Sequence, residues 1–301
     1  MNDYIIMTDS SCDLPQDTAE ALGVSVLPLA ITAEDGSVYK NYLDGREIGF
    51  REFYERLRGG ERITTSAVNV GEFEEEMEKT VSGGKDLLVL AFSSGLSTTA
   101  NSAEIAAQEL REKYPDRKIL VVDTLAASLG QGLIVYLTAK KAGTEGLTIE
   151  EARDYAESIK LRTIHWFTVA DLDQLKRGGR VSPTTAAVGN LLGIKPVLHV
   201  DDEGHLIPRF KVKGRQASIK KMFQLFKEDF DEAFPGQAVF ISHGDCLEDA
   251  EYLAGLIKSE YSLSEDILIN YVGPVIGAHS GAGTLALFFI GKDDTRQAAR
   301  S

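Results

Sequence analysis

The sequence predicts an α/β protein with two domains. In the first half, short apolar runs such as Asp86 to Phe92 alternate with helical patterns, which is typical of a parallel sheet with helices on its faces. In the second half, the polar turn Asp201 to Gly204 joins two apolar runs and indicates an antiparallel hairpin. The 301 residues suffice for two cores. We predict a three-layer α/β/α domain with a parallel sheet over residues 1–162 and a mixed-sheet α/β domain over residues 163–301.

Turn and breaker residues place the elements of the first half. Tyr4 to Thr8 is the first strand, and the helix after it ends at Gly23. Val24 to Thr32 is predicted as a single strand, at a sheet edge because Pro28 has no N–H to donate. The remaining elements are a hairpin at Asp35-Gly36, helices at 50–57, 73–81, 126–141 and about 148–160, and a strand at 118–122.

Two local patterns define these helices further. Asn69 with Glu72, and Thr148 with Glu151, have the spacing of capping boxes before two of them. The glycines at 130 and 132 lie within another helix, where glycine weakens helicity, and they indicate close packing against a neighbour.

The second half begins with a strand from His165 to Val169 and a short helix from Asp171 to Lys176, which ends at Gly178-Gly179. Pro183 then opens a helix through Leu192. The later elements are hairpin strands at 197–200 and 206–212, an amphipathic helix at 217–234, strands at 238–242 and 267–272 around a helix that begins near 247, and a strand at 284–290.

Composition and charge exclude several classes of function. The formal net charge is −14, and nucleic acids and anionic membranes need a basic face, so we expect no nucleic-acid partner and at most transient membrane contact. Asp3 and Asp9 stand where a signal peptide is basic, and no apolar run reaches membrane-spanning length, so a cytoplasmic protein is expected. Cys12 and Cys246 have no metal or redox spacing.

The turn after the apolar run Asp86 to Phe92 is unusually rich in hydroxyl groups. It carries five such side chains, namely Ser93, Ser94, Ser97, Thr98 and Thr99. A helix N-cap needs only one of them. A strand end followed by a helix start gathers backbone N–H groups and the positive end of the helix dipole, so we predict an anion site at this turn.

Three further segments are candidates for the same site. Thr8 to Asp13 and Thr64 to Ser66 are polar turns in the first half, and Gly273 to Gly283 is a glycine-rich segment around His279. Each segment alone is explained by ordinary turn formation. Together the polar turns predict one rim where strand ends converge, and the glycines around His279 predict a backbone that a ligand approaches closely.

The same residues leave an enzymatic alternative open. Ser94, His279 and either Asp123 or Asp9 are the residue types of a hydrolase triad, although the sequence has no G-x-S-x-G nucleophile elbow. The turn at Gly178-Gly179-Arg180 fits a phosphate-binding nest or a simple helix stop equally well.

Seven motifs occur in order along nearly the whole chain: Thr8-Asp9-Ser10-Ser11-Cys12-Asp13-Leu14, Thr65-Ser66, Ser93-Ser94-Gly95-Leu96-Ser97, Asp123-Thr124, Leu175-Lys176-Arg177-Gly178-Gly179-Arg180, Lys195-Pro196 and Gly277-Ala278-His279-Ser280-Gly281. In these motifs the sequence resembles the DegV family, whose characterised members are the fatty-acid-binding subunits of bacterial fatty acid kinase. The resemblance implies a DegV-like fold that holds a long-chain fatty acid, such as palmitate, between two domains.

The resemblance also implies the residues and the partner of that function. The implied substrate-binding residues are Thr65, Ser66, Ser93, Ser94, Gly95, His279 and Ser280. A separate ATP-binding kinase subunit would phosphorylate the bound carboxylate, and the acyl phosphate would enter phospholipid synthesis. On this interpretation the chain is not itself an enzyme, and it needs no metal and no cofactor besides the bound acid.

Several positions depart from the family's pattern. Ala67, Thr98 and Ala282 adjoin the ligand turns, and Lys213 lies in the basic stretch Arg209 to Arg215, which we expect to face the kinase subunit. Two alternatives remain open. One is a serine hydrolase or dihydroxyacetone-kinase-like enzyme that uses the serine at 94 and the histidine at 279, and the other is a structural or regulatory protein whose pocket is filled by side chains.

Overall fold

Residues 3–170, 172–181, 193–293 and 296 are described by the structure, a computed structural model. In chain order the elements are β1 (Tyr4–Asp9), α1 (Gln16–Ala21), β2 (Ser25–Leu27), β3 (Ala30–Thr32), β4 (Val38–Lys40), α2 (Phe50–Arg58), β5 (Thr64–Ser66), α3 (Val70–Ser82), β6 (Asp86–Ala91), α4 (Thr99–Lys113), β7 (Ile119–Asp123), α5 (Leu129–Glu145), α6 (Ile149–Lys160), β8 (Thr163–Thr168), α7 (Asp173–Arg177), β9 (Ile194–Val200), β10 (Leu206–Lys213), α8 (Arg215–Asp229), β11 (Phe240–His243), α9 (Leu247–Glu260), β12 (Leu268–Tyr271), α10 (Pro274–Ser280) and β13 (Leu285–Ile290). A 3₁₀ turn, Ser10–Cys12, follows β1. The helix predicted from Pro183 to Leu192 lies outside the described residues.

The first sheet is parallel and has the strand order β2-β1-β6-β7. Strand β6 at its centre is apolar and buried on both faces. Leu87 and Val89 pack in the cluster formed with α3 and α4, whereas Leu88 and Leu90 pack in the cluster formed with α5 and α6. Helices therefore cover both faces of the sheet, and the predicted three-layer α/β/α arrangement is confirmed.

The second sheet is small and antiparallel, with the order β4-β3-β5. It corrects the single strand predicted from Val24 to Thr32, because the chain forms β2 in the parallel sheet and β3 in this one. The break falls at Pro28, which has no N–H for a sheet ladder, and Leu29 donates its N–H to Oγ of Ser10 at 3.0 Å. The hairpin predicted at Asp35-Gly36 is confirmed, since β3 pairs with β4.

The third sheet is mixed, with the order β10-β9-β8-β13-β11-β12. Strands β11 and β12 are parallel, and the other neighbours are antiparallel. Helices α8 and α9 cover one face, and α5 lies against the other. The predicted mixed sheet and its hairpin around Asp201 to Gly204 are confirmed. The division at residue 162 stays a prediction, because α5 packs on both large sheets.

Helix α5 fits between the two large sheets because two of its residues lack side chains. A Cβ on Gly130 would overlap Nε2 of His165 and lie 2.7 Å from its Cδ2. A Cβ on Gly132 would lie 2.5 Å from the backbone oxygen of Cys12. The close packing that the sequence predicts at these glycines is confirmed.

Helix boundaries agree with the predicted caps. Asn69 and Glu72 form a capping box before α3, and Thr148 and Glu151 form another before α6. Among the helices that the structure describes, none combines the length and the apolarity needed to cross a membrane.

Candidate functional site

A cavity of about 600 Å³ lies between the mixed sheet, helix α10 and the turn after β6. Its walls are mainly apolar and include Phe92, Leu96, Phe167, Val275 and Phe288. Ligand pockets for small organic molecules typically have volumes of roughly 300–1,000 Å³. Since side chains do not fill this space, the structure counts against the alternative of a filled pocket.

The cavity has a polar side that is open to solvent. Ser66, Ser94 and Thr98 line the cavity and are exposed, whereas Ala286 and Phe288, which also line it, are buried. We refer to the three exposed hydroxyl residues as the polar mouth. A ligand with one polar end and a long apolar part matches this division.

Thr65 and His279 form a hydrogen-bonded pair in the cavity wall. Thr65 lies in β5 and His279 near the end of α10, and Oγ1 of the first is 2.8 Å from Nε2 of the second. Burial and the nearby Arg180 lower the pKa of His279 to about 4, so its imidazole is neutral at pH 7. A neutral imidazole carries one N–H proton, and the threonine hydroxyl carries one O–H proton. One of these two protons lies in the hydrogen bond between the two side chains, and the other can be donated to an anion.

Helix α10 replaces the open glycine-rich backbone predicted around His279. Gly277 lies inside this helix, and a Cβ there would be 2.6 Å from Oη of Tyr54, which donates a hydrogen bond to the Val272 oxygen at 2.7 Å. A Cβ on Gly178 would overlap Nδ1 of His279. Gly178 and Gly277 therefore admit neighbouring side chains, and the close approach of a ligand to the segment Gly273 to Gly283 stays a prediction.

Two of the predicted site residues, Ser93 and Gly95, do not line the cavity. Ser93 is fully buried, and its Oγ donates to the Gly204 oxygen at 3.0 Å and accepts the Gly95 N–H at 3.2 Å. A Cβ on Gly95 would lie 2.6 Å from the Glu203 oxygen. Both residues hold the β9–β10 hairpin against the turn, and only Ser94 of the three faces the cavity.

Arg180 lines the cavity and was not among the predicted site residues. Its Nε donates to the Leu96 oxygen at 3.1 Å, and its guanidinium also donates to the Gly178 oxygen. Burial lowers the pKa of Arg180, but a guanidinium stays charged in proteins. It is the one Lys or Arg among the described lining residues. In the sequence it belongs to the family motif Leu175 to Arg180 and to the Gly-Gly-Arg turn, and a helix stop explains that turn equally well.

The segment Thr8 to Asp13 supports the site from behind and does not line the cavity. Oδ2 of Asp9 accepts the Phe92 N–H at 2.8 Å, and Oδ1 of Asp13 accepts the Gly273 N–H at 3.0 Å. Burial raises the pKa of the carboxyl at 9 to about 6 and that of the carboxyl at 13 to about 8. The two carboxyl groups therefore bind the backbone that carries the cavity wall.

The hydrolase alternative has no support in this geometry. A Ser-His-Asp triad needs the three side chains bonded in series. His279 pairs with Thr65, and no described hydrogen bond joins it to Ser94. Oδ1 of Asp123 accepts the Ser94 N–H at 3.2 Å and the Leu125 N–H at 3.1 Å, so this carboxylate orients the turn. Within the described part of the chain, no group of three or more His, Cys, Asp or Glu is placed to hold a metal ion.

Comparison with known sequences decides the family. A sequence model described as "Uncharacterised protein, DegV family" matches residues 4–292. The chain belongs to the DegV family. A DegV domain-containing protein of Clostridium perfringens is 46% identical over 297 residues, which cover 99% of this chain and 100% of the relative. Another, from Streptococcus pyogenes, is 39% identical over 290 residues, 96% of this chain and 99% of the relative.

Solved DegV structures confirm the fold over nearly the whole chain. The DegV family protein of Thermus thermophilus, described for its fatty acid binding, is 31% identical with a TM-score of 0.86 over 97% of this chain and 100% of that one. A DegV lipid-binding protein of Thermotoga maritima is 31% identical with a TM-score of 0.83 over 97% and 99% of the chains. The Bacillus subtilis DegV, described as a fatty acid binding protein, is 26% identical with a TM-score of 0.82 over 97% and 100%.

Proposed function

We propose that this DegV protein binds a long-chain fatty acid in the cavity, with the carboxylate near the polar mouth and the acyl chain along the mixed sheet. Thr65, Ser94, Arg180 and His279 hold the carboxylate, and we call these four residues the carboxylate site. The observation that carries the proposal is the Thr65–His279 pair beside a cation in an otherwise apolar cavity. The fatty acid binding described for the relatives from T. thermophilus and B. subtilis supports it.

Two neighbouring hydroxyls complete this environment. Ser66 belongs to the polar mouth. Ser280 lines the cavity, and its buried Oγ has no hydrogen-bond partner. A buried hydroxyl without a partner is destabilising by roughly 1–3 kcal/mol, so a bound carboxylate that accepts its proton removes that cost.

The energies are consistent with tight binding. Burying about fourteen methylenes contributes roughly 11 kcal/mol before the costs of association, at about 0.8 kcal/mol each. Removing the carboxylate from water costs several kcal/mol unless it is hydrogen-bonded. Each hydrogen bond to a charged group contributes about 1.5–3 kcal/mol, so three or four donors offset that cost.

Mass spectrometry of the denatured, purified protein tests the proposal. We expect release of a long-chain fatty acid in close to equimolar amount. Ala286→Phe is the matched variant, because it fills the apolar part of the cavity without altering a polar group, and it should carry much less acid. A wild-type protein that releases no acid, and that binds none when acid is added, rules the proposal out.

We further propose that a separate ATP-dependent kinase subunit phosphorylates the bound carboxylate in the cytoplasm, and that the acyl phosphate serves phospholipid synthesis. Because Ser66 and Ser94 are exposed, a carboxylate beside them is within reach of a second protein. Arg209, Lys211 and Lys213 lie on the edge strand β10 of a chain with net charge −14, and they form a basic face for such a partner.

Trapping of acyl phosphate with hydroxylamine tests this second step. We expect product only when the chain, the acid, ATP and the kinase subunit are all present. Lys211→Glu alters the exposed basic strand and should slow the reaction without changing the affinity for the acid. Product formed by the chain and ATP alone would instead identify the chain as the phosphotransferase.

A further inference from the structure

Asp13 joins the first strand of the chain to the helix that carries His279. Its side chain is 3% exposed, and its carboxyl accepts the Gly273 N–H at 3.0 Å and the Ser128 hydroxyl at 2.6 Å. Its backbone oxygen accepts a hydrogen bond from Nδ2 of Asn270 at 2.8 Å. These three donors come from the N-cap of α10, the N-cap of α5 and strand β12. Asp13 is therefore a junction between distant elements, one of which is α10.

The hydrogen bond from Gly273 to Asp13 fixes the start of the short helix α10. Gly273 is the N-cap residue of α10 and has no side chain to cap the helix, so Asp13 is the group that accepts its N–H. His279 follows six residues later in the same helix, about 9 Å along the axis at 1.5 Å per residue. A shift at the helix start therefore moves the imidazole relative to Thr65, which is fixed separately in β5.

We propose that Asp13 is a positioning residue of the carboxylate site, whose hydrogen bond to the start of α10 holds His279 in register with Thr65. This inference rests on the proposed fatty-acid function and assigns a role to the first motif of the chain. Asp13 is absent from the cavity lining, so it acts on the ligand through the groups that it holds, namely the helix that carries His279 and Ser128, which lines the cavity.

The surroundings of Asp13 indicate which substitution preserves this role. Burial, and to a smaller extent the charge of Asp9, raise the pKa of Asp13 to about 8, and the buried phenol of Tyr54 lies nearby. A neutral side chain that accepts from Gly273 therefore suits the site. Asparagine keeps that acceptor and tolerates the left-handed backbone at φ 52°. Glycine tolerates the same backbone and loses the acceptor.

Asp13→Asn and Asp13→Gly are to be compared with the wild type by calorimetric titration with palmitate and with 1-hexadecanol, which has the same chain length and no charge. For Asp13→Gly we expect the palmitate affinity to fall by roughly ten- to a hundredfold, the effect of one hydrogen bond to a charged group. Its hexadecanol affinity should stay within about threefold of the wild type. Asp13→Asn should restore palmitate binding to within about threefold.

A general structural role predicts a different pattern, in which Asp13→Gly weakens both ligands equally. That result, or unchanged palmitate binding in Asp13→Gly, overturns the inference. If the wild-type protein binds no palmitate, the proposed function is wrong as well. If the wild type binds palmitate and Asp13→Gly gives either of those results, only the inference about Asp13 is wrong. If Asp13→Gly does not fold, Asn270→Ala removes the hydrogen bond that holds the Asp13 backbone in place, and the same selective loss of palmitate affinity is required of it.

Discussion

Replacing Gly178 by alanine tests whether the position of His279 sets the affinity for the acid. Gly178 ends α7 with φ −73°, which alanine adopts freely, so the backbone needs no change. The new Cβ would overlap Nδ1 of His279 and lie 3.1 Å from its Cγ and Cε1. To restore an ordinary contact of about 3.5–4 Å, Nδ1 of the ring must move by about 1.5 Å or more.

A shift of that size disrupts the pair with Thr65. The Thr65–His279 bond is 2.8 Å long, and lengthening it by about 1 Å takes it out of hydrogen-bond range. We expect palmitate affinity to fall by about 1.5–3 kcal/mol, roughly ten- to a hundredfold, in calorimetric titration. Overpacking costs about 1–3 kcal/mol, so the free energy of unfolding should fall by at most about 3 kcal/mol.

Gly143→Ala is the matched control for this substitution. Gly143 lies in α5, and a Cβ there meets no atom within 4 Å. Its palmitate affinity should equal that of the wild type, and its stability should be equal or higher. Wild-type affinity in Gly178→Ala, or the same loss of affinity in both variants, would refute the reasoning.

Three further predictions concern the turn, the cation and a buried carboxyl. Ser93→Ala should lower the free energy of unfolding in urea by about 1–3 kcal/mol, because buried backbone groups lose a hydrogen-bond partner. Ser94→Ala should weaken palmitate binding without lowering stability. A loss of stability in Ser94→Ala and a loss of binding in Ser93→Ala would contradict the roles given to these two serines. Arg180→Gln should weaken palmitate binding in titration, unlike Arg177→Gln at an exposed position; equal effects would show that Arg180 contributes no specific contact. Burial raises the pKa of Asp13 from 3.8 to about 8, so between these two pH values the unfolded state binds fewer protons than the folded state. In urea denaturation the wild type should therefore lose stability relative to Asp13→Asn as the pH rises from about 4 to about 8. A stability difference that stays constant over this range argues against the raised pKa.

The sequence predicted best those features that depend on neighbouring residues. The capping boxes at Asn69 and Thr148 need only a partner three residues away, and both are present. The alternation of apolar runs predicted the parallel sheet, because strands buried on both faces, such as β6, are apolar throughout. Thr65, Ser94 and His279 were also named from the sequence, through family motifs, and all three line the cavity.

The features that the sequence did not predict depend on partners far along the chain. A serine in a turn can face a ligand or a backbone group, and Ser93 faces the Gly204 oxygen of a hairpin 111 residues away. Gly277 is explained only by Phe53 and Tyr54 of α2, which pack against it. Arg180 reaches the cavity because the carbonyl of Leu96, 84 residues distant, fixes its guanidinium. No local pattern contains these pairings.

A crystal structure of the protein with palmitate measures the central claim most directly, since it locates both ends of the ligand. We expect a carboxylate oxygen within about 3.2 Å of Oγ1 of Thr65, with Ser94 and Arg180 beside the carboxylate and the methyl end near Phe288. An acid bound in the opposite direction, with its carboxylate at the buried end beside Phe288, would contradict the claim, as would a cavity that stays empty at saturating palmitate.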